Sequence, residues 1–217
     1  MPRFRNIPLL LVVAILLAAS ASVGVAYAAS LGLGSGELHV WSQKLTKGTC
    51  NQTSATAADT YVQQASPTST TGGSAATLTI NPTGGSQDYA FIRFDLGGCS
   101  LPTTAGADSA LLTVNVTTKG NDTISVFPVT SSWDSSTLDW EGAGRLTIGS
   151  TATASFSGKP RGAKTITVTA DVDAAIKAGT LWGWELRATS GKATVVIGAS
   201  ENPTAANRPS LTLSYEK

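Results

Sequence analysis

Flat aromatic rings and one mid-strand arginine are the residues of this chain best suited to chemistry. Trp133, Trp140, Trp182 and Trp184 are four of its five tryptophans. The apolar face of a pyranose stacks on such rings as other apolar groups do. Trp182 and Trp184, two residues apart, are expected on one strand face, with Trp182 the first candidate for an exposed ring. Tyr61, Tyr89 and Phe91 follow as weaker candidates. Arg93 lies mid-strand among aromatics in the run YAFIRFDL (residues 89–96), and its guanidinium is costly to bury unpaired. Two readings stay open. In one, Arg93 forms a charge-assisted pair with Asp59 or Glu201 that pins the chain ends to a central strand. In the other, it faces a cleft and binds the carboxylate of an acidic sugar.

Residues for bond cleavage are scarce. Hydrolysis needs a positioned nucleophile or a base of matched pKa, and His39 is the single histidine. No G-x-S-x-G elbow occurs. The Gly-Lys pairs at Gly158-Lys159 and Gly191-Lys192 lack the upstream glycine of a phosphate cradle. Asp59, Asp95, Asp134, Asp139, Glu185 and Glu201 could supply a glycosidase carboxylate pair, but no pattern selects two of them. A non-catalytic protein is the expectation. Clustered carboxylates also suit calcium, for which Asp59, Glu201, Asp171 and Asp173 are the candidates.

The opening segment sets the compartment. Arg3 and Arg5 precede an apolar run over residues 7–19 and then Ala26-Tyr27-Ala28, the pattern of a secretory signal peptide cleaved after Ala28. Left uncleaved, it approaches the length of a membrane-spanning helix and would tether the rest to the outer face of a membrane. Export makes Cys50 and Cys99, the only two cysteines, an expected disulfide. Lys+Arg number 15 and Asp+Glu 14, and cleavage would remove two arginines and no acids. Such a near-neutral chain, without a basic cluster, has no electrostatic footprint for nucleic acid.

The elements that must position these residues are short strands. Apolar residues alternate at Ala90, Ile92, Phe94 and Leu96, at Ala110, Leu112, Val114 and Val116, at Ala193, Val195 and Ile197, and at Leu211, Leu213 and Tyr215. Turns rich in Gly, Pro, Asn and Ser separate these runs, which is the signature of antiparallel β structure. Ile166 and Val168 lead into Val172 and Ile176 as a strand followed by one helical turn. Nine or ten antiparallel strands are expected, enough for two stacked sheets. The expected fold is an all-β sandwich with jelly-roll or Greek-key wiring, preceded by an N-terminal signal helix. The boundaries are a signal peptide over residues 1–28, a tether with a candidate edge strand over 29–53, and a sandwich domain over 54–217.

Several segments, in order, resemble the DNRLRE-domain family of secreted β-sandwiches, related to disaggregatase repeats and grouped with carbohydrate-binding modules. They are Ala58-Asp59-Thr60-Tyr61-Val62, Phe91-Ile92-Arg93-Phe94-Asp95-Leu96, Trp133-Asp134 with Trp140, Asp171-Val172, Ser200-Glu201, and Arg208-Pro209-Ser210-Leu211-Thr212-Leu213-Ser214-Tyr215. The resemblance spans residues 55–215. It implies a jelly roll that binds polysaccharide, alginate-type polymers included, and it implies packing roles for Trp133 and Trp140. The expected partner is a polysaccharide or cell-surface glycan. Two alternatives are a surface adhesin that contacts proteins and a glycan-cleaving enzyme.

Overall fold

The computed structural model describes residues 27–29, 40–42, 47–101 and 106–216. The chain divides into two compact units, Met1–Thr46 and Lys47–Lys217. In the first, β1 (Tyr27–Ala29) pairs antiparallel with β2 (Val40–Ser42). The expected cleavage point after Ala28 falls inside β1. The rest of the signal segment, and His39, lie outside the described residues. Among the described residues no helix is long and apolar enough to cross a membrane.

The second unit is a two-sheet antiparallel sandwich, as the alternation predicts. Sheet I has the order β3 (Lys47–Gln52), β13 (Ser210–Glu216), β7 (Ala107–Thr118), β12 (Val195–Gly198), β5 (Thr77–Ile80), with β10 (Gly162–Thr167) also on β7. Sheet II has the order β4 (Ala57–Gln63), β6 (Asp88–Phe94), β11 (Trp184–Ser190), β8 (Thr123–Pro128), β9 (Ala154–Ser157). Most connections cross from one sheet to the other. The folding unit therefore closes through long-range pairings rather than local hairpins.

Strand β7 shows why the pattern holds. Its inward residues Ala110, Leu112, Val114 and Val116 are almost wholly buried, and their neighbours are not. Residues 111–113 pair with both β10 and β13, so β10 takes one edge while β13 and β12 share the other. Facing side chains from sheet II, including Ile92, Phe94, Ile124, Val126, Trp184 and Leu186, complete one inter-sheet core. Removing this apolar surface from water is the main favourable term, at about 25 cal/mol per Å2.

One element exceeds its expectation. The single helical turn after Val168 is a ten-residue helix, α2 (Thr169–Ala178; α1, Trp140–Ala143, precedes it). Its apolar contact with the core comes from Val172 and Ile176, one i, i+4 pair. That stripe is too narrow to announce a helix of this length by periodicity. Gly179, with φ of 77°, ends it in the left-handed conformation that costs glycine little.

The disulfide joins β3 to the segment after β6. Cys50 and Cys99 are bonded, their Cα atoms 5.7 Å apart across a separation of 49 residues. Gln52, itself buried, donates to both sulfurs at 3.1 and 2.8 Å.

Candidate carbohydrate-binding site

Strand β6 is buried on both faces at its middle: Phe91 is fully covered, as are Ala90 and Ile92. A second apolar cluster lies on the outer face of sheet II. Phe91 and Val62 from the sheet meet Val129, Trp133, Leu138 and Ala143 from the segment after β8. Short local structure holds that segment in place. Asp139 caps α1 by accepting from the Gly142 N–H at 2.6 Å, and Val129 bridges to Ile148.

This cover arranges the aromatic residues in a row along β6. Tyr89 and Trp140 are a tilted pair, centroids 4.9 Å apart, and Phe91 meets Trp133 edge-on at 5.8 Å. Arg93 places its guanidinium carbon 5.2 Å from the Trp133 ring centroid and 5.9 Å from that of Trp182. These are cation–π distances. Trp133 donates Nε1–H to the carbonyl of Trp182 at 2.7 Å, which fixes the pocket around the cation.

The expected ion pair of Arg93 with Asp59 or Glu201 does not form. Asp59 pairs with Ile92 and Ala58 with Arg93 across β4 and β6, so Asp59 points into the sandwich while Arg93 points out of it. Among the described residues no carboxylate lies within 4.0 Å of the Arg93 guanidinium. Asp134 interacts with Arg93 electrostatically. It is fully exposed, its carboxyl held below the usual range first by Ser136 and also by Arg93. Asp59 is 1% exposed and accepts from the Ser200 N–H at 2.8 Å, while its other oxygen has no hydrogen-bond partner. Burial pushes its carboxyl up to about 7, with nearby Glu201 adding to the rise.

The two tryptophans of the 182–184 segment do not share a face. Gly183 between them has φ of 79°, which breaks the two-residue alternation. Trp184 turns inward, is fully buried and donates Nε1–H to Asp171 at 2.7 Å. Trp182 turns outward and stays half-buried. Phe91 and Trp184, expected as ligand contacts, are therefore packing residues. Trp133 is buried, and Trp140 and Tyr89 keep half-buried rings. Tyr61 packs against the inter-sheet core.

The four calcium candidates separate into two places. Asp59 and Glu201 meet beside Ser200, whose hydroxyl contacts Glu201 at 2.8 Å. Asp171 and Asp173 lie on α2 with protein donors: Thr153 and Trp184 on Asp171, Lys177 and the Ala107 N–H on Asp173. No group of three or more metal-ligating side chains gathers among the described residues.

Two recesses open near the aromatic row. The larger, about 610 Å3, runs between the end of β6, the C-terminal end of α2 and the link into β11. Arg93 and Trp182 line it beside Phe94, Leu96, Ile176 and Leu181. The smaller, about 250 Å3, has Tyr89, Trp140, Glu185 and Arg187 in its walls. Glu185 was among the sequence's unselected carboxylates. Its alternation with Trp184 and Leu186 put it on the outer face, but nothing local showed that a distant segment would bury it there.

A two-sheet sandwich that presents half-buried rings and Arg93 at a recess on one face is an architecture suited to binding carbohydrate. The model of carbohydrate-binding module family 96 matches residues 51–215, and the chain belongs to that family. No curated protein is significantly similar to the chain.

Proposed function

We propose that the chain is a secreted, non-catalytic module that holds an acidic polysaccharide in the groove between Arg93 and Trp182. The observation that carries this reading is the Arg93 guanidinium, set against two indoles with no carboxylate within 4.0 Å among the described residues, at the wall of a mostly apolar recess that Asp95 also lines. Its N–H donors suit a uronate carboxylate, which accepts bidentate hydrogen bonds, while the Trp182 ring offers a surface to the sugar. Secretion is supported by the basic start, the apolar run and the A-x-A end of residues 1–28, together with the disulfide. The ordered segments that resemble DNRLRE domains all fall inside residues 51–215, which supports that finer family reading. Lack of catalysis is supported by the placing of the raised acids: Asp59 lies inside the sandwich rather than in a groove, and Glu185 is the one acid in the lining of the smaller recess, without the second carboxylate that glycoside cleavage uses.

Affinity electrophoresis of the full chain through gels containing alginate, pectate, xylan or mannan tests the proposal. Retardation by a uronate polymer is expected, falling as salt screens the charge. Arg93→Met keeps the aliphatic stem and removes the charge. It should weaken retention about tenfold or more, since hydrogen bonds to charged groups contribute roughly 1.5–3 kcal/mol. Equal retardation of wild type and R93M on every polymer would sink the assignment of this groove.

A further inference from the structure

The smaller recess holds a group that the fold leaves incomplete. Glu185 is 3% exposed, and its Oε1 makes no hydrogen bond. The Nη1 of Arg187 lies 3.2 Å away, close enough for attraction but without hydrogen-bond alignment. Burial pushes the Glu185 carboxyl up, and Arg187 offsets part of that rise. Arg187 is itself held in place, its guanidinium carbon 4.0 Å from the Phe127 ring centroid. The tilted Tyr89–Trp140 pair forms part of the wall, with Leu146 and Ile148 as apolar lining.

A buried carboxylate oxygen that meets its cation without an aligned hydrogen bond is only partly compensated, and such groups concentrate where a ligand completes them. A carboxylate only accepts, so the group that would complete its hydrogen bonding is a donor. Neighbouring hydroxyls on a sugar ring are donors, and the ring's apolar face fits the aromatic wall. The remaining N–H groups of Arg187 can donate to a sugar oxygen. A uronate would bring its negative charge against Glu185 and a cationic sugar its positive charge against Arg187, and this balance favours an uncharged occupant.

We infer that the recess walled by Tyr89, Trp140, Glu185 and Arg187 is a second subsite, which seats a neutral pyranose through its hydroxyls. This rests on the reading of the chain as a polysaccharide-binding module and deepens it. Arg93 and Tyr89, one in the wall of each recess, are four residues apart on one strand, about 14 Å.

The test follows the tryptophan indole N–H resonances of the full 15N-labelled chain, with W140F and W182F used to assign Trp140 and Trp182. The probes are neutral gluco-, manno- and galacto-oligosaccharides and a mannuronate oligosaccharide. At least one neutral probe should move the Trp140 resonance saturably. In E185Q its affinity should fall tenfold or more, while the melting temperature holds or rises because a buried charge has gone. Should E185Q lower the melting temperature instead, the wild-type Trp140 titration and tenfold weaker binding by folded R187Q decide the question. No movement of Trp140 with any neutral probe, or unchanged affinity in the folded variant, overturns the subsite. If Trp182 responds to the uronate while Trp140 stays still, the subsite alone is wrong. If neither resonance responds to any sugar, the polysaccharide reading fails with it.

Discussion

Asp59→Asn isolates the cost of a charge inside the sandwich. Asp59 is 1% exposed, and its carboxyl is raised from 3.8 to about 7, chiefly by burial. A difference of about three pKa units, at 1.36 kcal/mol each, corresponds to roughly 4 kcal/mol. The folded chain binds this proton more tightly than the unfolded chain does. The contribution is therefore fully present below about pH 4 and is lost as pH rises through about 7. Asparagine keeps the acceptor for the Ser200 N–H, now 2.8 Å from the carboxylate, and carries no charge to desolvate. At pH 8 the variant should melt on the order of 10 °C above wild type, given 2–4 °C per kcal/mol for a chain of this size. At pH 4 the two should nearly coincide. Asp88, raised to about 6 by burial, adds a drift common to both proteins that cancels in the difference. Thermal unfolding by circular dichroism from pH 4 to 8 measures the effect. A variant no more stable than wild type at pH 8, or an advantage undiminished at pH 4, refutes the buried-charge account.

Further expectations concern the scaffold. Gly183→Ala should destabilise by at least 1–2 kcal/mol for the left-handed backbone alone, and by more because a Cβ there would meet the Ile92 carbonyl oxygen; urea unfolding reads this. Reduction of Cys50–Cys99 should cost about 4 kcal/mol for a loop of 49 residues in the chain-entropy model, and an unchanged denaturation midpoint would contradict it. Phe91→Ala should cost about 3–5 kcal/mol, since the ring is fully buried between sheet II and its outer cover. Mass spectrometry of the exported protein should find Ala29 at its N-terminus, and retention of residues 1–28 would rule out cleavage there.

The sandwich was legible in the sequence because strand alternation is local. Ala110, Leu112, Val114 and Val116 needed nothing beyond their own spacing to define an inward face, and the disulfide was expected from two cysteines behind a leader-like opening pattern. Arg93 and its aromatic neighbours were likewise visible as residue types. Which of them would meet was not. The alternation rule assumes continuous extended backbone, and one left-handed residue, Gly183, sent Trp182 and Trp184 to opposite sides of the sheet. The partner of Arg93 depended on the pairing of β4 with β6, which placed Asp59 on the face that Arg93 leaves. Glu185 acquired its importance only when the segment after β8 folded over a face that alternation alone marks as solvent. Periodicity tells a strand which way its side chains point; only the packed molecule decides what stands there to receive them.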